Sequence, residues 1–581
     1  MAITNNDIAA IFNRVADLLE LSGGNEFRVR AYRGAAMSVA SFSQSLADII
    51  ISGQEIPKLA GIGKDLEGKI GEIVKTGKLA QLKELESQVP TDLIELTHLP
   101  GLGAKRVRLI FDKLGVKTID ALEKAARSEK IRAIRGLGEK TEKNILAEIE
   151  KRKGLQQNVK LIDAIKTAAP LVEYLKAVDG VMQVTVAGSY RRRKETVRDV
   201  DILVACSNAK TVMDVFAAYP QVKQILAKGL KKTTVVLESG LQVDVRAVSE
   251  SSYGAALVYF TGSKEHNVAI RKIGVRKKIK LNEYGVFRGK RRIAGKTEED
   301  VYATVDLPWI EPELREDRGE IDAATSGKLP HIIELDDIQG DLHAHTTTTD
   351  GRSSLEEMIE AAISRRYKYL AITEHTQHVT VANGLEPKAM RKRLAEIEKA
   401  GQKYKEITVL KGAEIDILSD GSLDLPEEIL EELDIRVCAV HYKFNLTKEE
   451  QTSRILKAME NPWCQILAHP TGRQINIRSG YEVDLPAIFR AAAQHGVALE
   501  CNAQPARLDL NDINLRAAKE VGAKFVISTD SHHTSELEFM QYGVWQARRG
   551  WLEKRDVLNS QSLKGLLSSL RKAPQAALSH K

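Results

Sequence analysis

Gly188-Ser189-Tyr190-Arg191-Arg192-Arg193-Lys194-Glu195-Thr196-Val197-Arg198-Asp199-Val200-Asp201-Ile202-Leu203-Val204 is the stretch that decides how the chain is read. A turn of small residues leads into a basic segment and then into a strand carrying two carboxylates. Residues i and i+2 of a strand point to one face, so Asp199 and Asp201 project together. Two like charges that close are costly unless a cation sits between them. Further along, Gln242-Val243-Asp244-Val245-Arg246 reads as a second short strand with one inward acid. Three carboxylates on neighbouring strands suit a two-metal site for in-line displacement at phosphorus. Gly188 and Ser189, with Arg191 and Arg192 beside them, suit a phosphate cradle.

The chain has 581 residues, enough for several domains, with 43% hydrophobic and 28% charged residues. No run approaches the ~20 apolar residues of a membrane span, and the first residues show no secretory pattern. The expectation is a cytoplasmic monomer with no membrane partner. Cys206, Cys438, Cys464 and Cys501 are scattered in apolar surroundings and read as reduced core thiols. The net charge of +7 is modest, but ten Lys/Arg against one acid lie between Arg271 and Arg292. Beside a phosphoryl-transfer motif, that run favours contact with nucleic-acid phosphates.

In the first 150 residues a hydrophobe–x–Gly–hydrophobe–Gly pattern occurs three times, at Gly61/Gly63, Gly101/Gly103 and Gly136/Gly138, each leading into a helix. Glycines permit a tight turn and close backbone approach. The amides of the following helix can then hold one phosphate without reading a base. These segments resemble helix-hairpin-helix elements.

The string around Asp199 and Asp201 resembles the nucleotidyltransferase signature of the X-family DNA polymerases, of which DNA polymerase beta is the best-known member. The likeness continues at Tyr259-Phe260-Thr261-Gly262-Ser263, at Asn267 and Arg271, and at Leu281-Asn282-Glu283-Tyr284-Gly285, and covers roughly the first 315 residues. It implies that Ser189 and Arg192 contact the incoming triphosphate. Asp199, Asp201 and Asp244 would hold two Mg²⁺ or Mn²⁺ ions, with Asp244 also accepting a proton from the primer 3′-hydroxyl. Tyr259, Phe260 and Gly262 would pack beside the incoming deoxyribose, and Asn267 and Arg271 would read the minor-groove edge of the nascent pair. Two residues depart from the beta-type pattern: Arg193 and Arg198 stand where it has glycine. The amino-terminal region resembles the lyase domain of the same branch. Lys69 matches its Schiff-base amine, a chemistry that needs a lowered amine pKa.

Beyond residue 337 the pattern changes, and ten of the thirteen histidines lie between His331 and His533. Short apolar runs at 338–346, 369–375, 408–415, 435–441, 464–470, 497–503 and 524–532 alternate with helical stretches, and six of the seven end in potential metal ligands. Strand–helix alternation implies parallel strands with crossovers. Ligands at the carboxyl ends of barrel strands converge on one mouth. The region resembles the PHP (polymerase and histidinol phosphatase) domain, a distorted (β/α)₇ barrel. That likeness maps nine ligands onto His343, His345, Asp350, His375, Glu414, His441, His469, Asp530 and His532. It implies up to three Mn²⁺, Zn²⁺ or Fe²⁺ ions and 3′→5′ exonuclease or 3′-end processing, with cleavage at abasic sites as an additional activity. His331, His378 and His495 are read as ordinary histidines. Arg352, Lys443 and Arg473, near motif ends, are candidates to meet phosphate.

The expected organisation is multidomain. A lyase-like helical DNA-binding region covers 1–85, and a helix-hairpin-helix fingers-type domain covers 86–150. An α+β palm (151–245) and thumb (246–315) follow, then a linker (316–337) and the PHP barrel (338–575). The function implied is short-gap filling on gapped or nicked duplex DNA with deoxynucleoside triphosphates, joined to metal-dependent hydrolysis. One rival is an end-processing nuclease whose polymerase half only binds DNA. Another is a non-catalytic DNA-end binder, and a third is a small-molecule phosphatase in the barrel.

Overall fold

The computed structural model describes residues 5–40, 46–51, 61–88, 90, 93–97, 99, 102–156 and 158–571. Two compact units are present, one formed by residues 1–156 with 377–385, the other by 157–376 with 386–581.

The first unit is helical. Ile8, Phe12, Val15, Leu18 and Leu19 recur at helical spacing in Asn5–Leu21 and enter a core with Ile70, Ile73, Val107, Ile110 and Ile149. Gly63 and Gly103 are the extended residues just before helices Lys64–Thr76 and Ala104–Leu114.

In the second unit a five-stranded sheet runs Val181–Val186, Asp199–Cys206, Gln242–Val248, Lys232–Leu237, Val222–Lys228. The Asp199–Cys206 and Gln242–Val248 strands are parallel, with Asp201 opposite Asp244. Along Asp199–Cys206, Val200, Ile202 and Val204 are buried in a core with helices Leu161–Lys176 and Ala209–Ala217. The period of two leaves Asp199 and Asp201 on the other face. Helices Tyr253–Thr261 and Lys264–Arg276 follow, then a three-stranded antiparallel sheet of Lys280–Asn282, Gly285–Arg288 and Arg291–Ala294.

The carboxyl-terminal sheet has seven parallel strands in chain order: Gly340–Asp341, Tyr369–His375, Thr408–Asp416, Ile435–Ala439, Ile466–Leu467, Ala498–Asn502 and Phe525–Ser528. All seven apolar runs seen in the sequence therefore supply strands. Tyr369–His375 is buried along its whole length, as parallel strands covered on both faces are. The barrel is drawn together past its strand ends by a parallel bridge between Ala344 and Ser531, where His345 N donates to Ser531 O at 2.8 Å.

Residues 316–337, expected as a linker, do not behave as a solvated tether. Glu320, at the start of helix Glu320–Thr325, is fully buried and takes His266 Nδ1 at 2.6 Å. Glu316 is shared by Arg192 (3.0 Å) and Arg549 (2.9 Å). Glu316 and Glu320 thus serve as partners of cations, whereas Asp317, Asp322, Glu334 and Asp336 are exposed. Palm and barrel are further joined by Ile162, Ile475, Leu508 and Tyr542 in one apolar cluster, and by Asn476 Nδ2 donating to Asn158 O at 2.7 Å.

Candidate active sites

In the palm, Gly188 at φ +63 opens the short helix Gly188–Arg191. A Cβ there would lie 3.0 Å from Asp201 Oδ2, so the turn and the carboxylate strand approach as only glycine allows. Burial, with the charges of Asp199 and Asp244, pushes the Asp201 carboxyl up to about 6. Asp244 Oδ2 is 2.6 Å from Lys232 Nζ and 3.8 Å from Arg246, while its Oδ1 is buried without a partner. Crowded carboxylates with one open buried oxygen fit divalent cations.

The other residues named from the sequence gather around this face. Ser189 is half-buried in the turn. Arg192 does not project freely: Nη1 donates to Thr261 O at 2.5 Å and Nε to Glu316 at 3.0 Å. Arg191 clasps Glu298 with both terminal nitrogens (2.8 and 2.7 Å) and reaches Thr261 Oγ1 at 2.8 Å. Gly262 sits at φ +72, where a Cβ would lie 3.2 Å from Arg192 Nη1. Tyr259 and Phe260 meet edge to face at 5.0 Å, and Arg246 lies over Phe260 at 4.3 Å. Asn267 Nδ2 donates to Tyr259 O at 2.7 Å, and Arg271 lies 5.7 Å from the Tyr259 ring. Of the two departures from glycine, Arg198 is exposed. Arg193 takes the left-handed φ of +56 that glycine would adopt freely.

At the barrel mouth, three overlapping groups have potential ligand atoms within 4.8 Å of one another. They are His345/Asp350/His375/His532, His343/His345/Asp530 and His375/Glu414/His441. His469, the remaining member of the expected set, places Nε2 2.9 Å from Glu414 Oε1. His345 Nδ1 and Nε2, His343 Nε2, His375 Nδ1 and Asp350 Oδ1 are buried without hydrogen-bond partners, as atoms facing cations would be. Burial would push the Glu414 carboxyl up, but His441, His343 and His375 hold it well below the usual carboxylate range. Burial works against charge on His375 as well, yet Glu414 and Asp350 hold it up at about 10. His345 is driven the other way, down to about 3, by burial and by the neighbouring imidazoles. His469 and Asp530 carry positive φ (+28 and +51), the kind of local strain that concentrates at functional sites.

Sequence reasoning missed the residues that orient these side chains. Glu500 accepts from His343 Nδ1 at 2.8 Å and from His469 N at 2.7 Å. It belongs to the one apolar run that did not end in an evident ligand. Its i, i+2 relation to Asn502, which donates to Asp530 Oδ2 at 3.1 Å, is the signal that could have found it. Asp416 lies 3.3 Å from His441 Nδ1, two residues past Glu414 on the same strand face. Glu374 binds Thr346, Thr349 and Arg393 beneath the site.

Of the three cations proposed for phosphate, Arg473 is turned away from that role. Its terminal nitrogens are bound by Glu195 (3.1 and 2.6 Å) and by Leu508 O, while its Nε is buried without a partner. Arg352 pairs with Glu536 and stays largely exposed, and Lys443 reaches Ser419 at 3.2 Å. Arg507 does lie near the ligand groups, 3.8 Å from Asp530.

In the helical unit, Gly61 (φ +76) and Gly136 (φ +95) take left-handed turns. A Cβ added at Gly61, Gly63, Gly103, Gly136 or Gly138 would meet nothing within 4 Å, so these turns open outward. Gly101 lies outside the described residues. Lys69 differs from the expectation of a lowered pKa. Burial would lower it, but Asp65 at 2.5 Å and Tyr32 outweigh that and hold the ammonium above its usual range.

Family models match along the whole arrangement. A helix-hairpin-helix domain matches residues 3–79 and a SAM-like helix-hairpin-helix tandem 93–151. The DNA polymerase beta palm matches 163–276, the DNA polymerase beta thumb 256–316 and the PHP domain 341–570. The chain belongs to the X-family DNA polymerases that carry a carboxyl-terminal PHP domain. It is 36% identical, over 97% of its own length and 99% of the relative's, to the DNA polymerase/3'-5' exonuclease PolX of Bacillus subtilis (strain 168). DNA polymerase lambda of Rattus norvegicus is 24% identical over 50% of this chain and 53% of its own. A probable phosphatase of Clostridium acetobutylicum is 32% identical over 33% of this chain and 78% of its own.

Proposed function

We propose that this chain is a DNA-directed DNA polymerase that fills short gaps and, at a separate centre in the barrel, a metal-dependent 3′→5′ exonuclease. The observation that carries the reading is the presence of two chemically distinct, ligand-rich centres in one chain. One is the Asp201–Asp244 register of the palm, the other the histidine-rich barrel mouth.

Both centres use divalent metal. In the palm, Asp199, Asp201 and Asp244 would hold two Mg²⁺ or Mn²⁺ ions. In the barrel, three overlapping ligand groups support up to three ions, and their nitrogen-rich donors suit Mn²⁺, Zn²⁺ or Fe²⁺. Such ions neutralise phosphate charge and make a hydroxyl or water nucleophilic near neutral pH. The protein's part is positioning and proton handling. Lys232 occupies Asp244 Oδ2, which leaves Oδ1 as the oxygen to take the proton of the primer 3′-hydroxyl. Ser189 and Arg192 bind the triphosphate once Arg192 leaves Thr261 and Glu316. Tyr259, Phe260 and Gly262 flank the sugar, and Asn267 and Arg271 face the nascent pair. In the barrel, Glu500 on His343 Nδ1 and Asp416 on His441 Nδ1 leave the Nε2 atoms to face the centre. The outward glycine turns of the helical unit, at Gly61/Gly63, Gly103 and Gly136/Gly138, contact DNA backbone phosphates.

The deciding experiment is extension and shortening of a labelled primer on a one-nucleotide-gapped duplex. Wild type is compared with Asp199→Ala/Asp201→Ala and with His343→Ala/His345→Ala. Extension lost only with the aspartates, and shortening lost only with the histidines, is the expected result. Shortening without extension in wild type would leave a nuclease on a polymerase-shaped clamp. Because a relative that matches 33% of this chain is named a probable phosphatase, hydrolysis of histidinol phosphate is assayed beside 3′-ended DNA.

A further inference from the structure

Three of the four residues from Arg192 to Glu195 are held by side chains of the barrel. Arg192 O accepts from Arg549 Nη1 at 2.7 Å. The Arg193 guanidinium lies 4.0 Å from the centre of the Trp545 ring. Glu195 takes both terminal nitrogens of Arg473. Arg549 is itself buried and anchored by Asp512 at 2.6 Å, and Trp545 sits on the same helix, Met540–Arg549. None of these barrel residues belongs to the ligand groups at the barrel mouth.

The middle contact has a specific reason to exist. Arg193 stands where the family pattern has glycine, and its φ of +56 is unfavourable for a residue with a Cβ. An arginine there must be compensated, and a half-buried indole ring 4.0 Å from the guanidinium is an effective compensation. Arg193 directly follows Arg192 and the helix Gly188–Arg191 that carries Ser189. A relaxation of its φ therefore redirects the turn that faces Asp201.

We infer that Trp545, a barrel residue, is a positioning residue of the polymerase reaction. Through Arg193 it fixes the turn that presents Ser189 and Arg192 to the incoming triphosphate. The inference rests on the triphosphate role proposed above for that turn. The barrel thus has a second role, as a scaffold for nucleotide binding.

The test is a double-mutant cycle in steady-state filling of a one-nucleotide gap, with 3′-end shortening by the same preparations as a second readout. Trp545→Ala is expected to raise KM for the deoxynucleotide about three- to tenfold. The turnover of extension and the rate of shortening should stay within about twofold. Trp545→Phe, which keeps a ring, should recover most of the loss. In an Arg193→Gly background Trp545→Ala should add nothing, because glycine adopts the left-handed turn unaided. Should Trp545→Ala not be obtained folded, Arg193→Met carries the same comparison by removing the cation while leaving the strained Cβ. An unchanged KM, an equal rise in both backgrounds, or a parallel loss of shortening overturns the inference. Wild type that extends normally while the cycle shows no coupling sinks this inference alone. Wild type that shortens DNA but never extends it sinks the polymerase reading beneath it.

Discussion

Gly188→Ala tests whether the palm works through the close approach of turn and carboxylate strand. Gly188 lies at φ +63, and a Cβ there would stand 3.0 Å from Asp201 Oδ2. Two costs follow. Holding an alanine in the left-handed region costs ~1–2 kcal/mol. The contact is also tighter than the ordinary limit of about 3.4 Å, so Asp201 must yield by roughly 0.4 Å. Since a displacement of ~1 Å at a reacting centre costs on the order of 10²-fold, about tenfold in turnover is expected. Gly240→Ala separates the two effects: Gly240 lies at φ +83 on the Leu237–Leu241 turn, and its Cβ would meet nothing within 4 Å. Thermal unfolding should register the backbone cost in both variants. Single-turnover gap filling should fall only in Gly188→Ala, and 3′-end shortening in neither. Equal extension by Gly188→Ala and wild type, or an equal loss in Gly240→Ala, would refute the argument that Asp201 is placed by this contact.

Glu500→Gln should weaken metal dependence in the barrel about 10- to 100-fold, read as a shift in the Mn²⁺ titration of 3′-end shortening, with extension unchanged; no shift would mean that Glu500 does not orient His343. Lys69 is held charged by Asp65, so borohydride should trap no wild-type adduct on abasic DNA; a trapped adduct lost in Lys69→Ala would reverse this. Glu298→Gln leaves the fully buried Arg315 without its carboxylate and should cost ~3–5 kcal/mol, seen as a lower unfolding midpoint. Burial opposes charge on Glu298, but Arg191 and Arg315 hold its carboxyl down at about 2. Its stabilisation is therefore complete above the usual carboxylate pKa of ~4.3 and lost as pH falls toward 2. The gap between wild type and variant should narrow from pH 5 to pH 3, and a gap that widened would contradict the sign.

What the sequence determined by itself is what short-range geometry carries. Asp199 and Asp201 share a face because strands alternate with period two. The seven barrel strands were legible because parallel strands are continuous apolar runs, and the histidines and acids at their ends follow from the polarity of such barrels. The Lys69–Asp65 pair was equally local, one helical turn apart, and the i, i+4 rule would have disclosed it. Tertiary structure alone decided the partners. That Glu500 rather than a neighbouring acid orients His343 depends on bringing together residues 157 positions apart in the chain. That Arg473 grips Glu195, 278 residues away, rather than phosphate could not be read from either segment. Residues 316–337 look like a linker by composition because burial is not a property of composition. Glu316 and Glu320 are drawn in because the cations that need them, Arg192, His266 and Arg549, come from three other parts of the fold. A buried charge is satisfied by whichever opposite charge the packing brings near, and packing is settled by the whole chain.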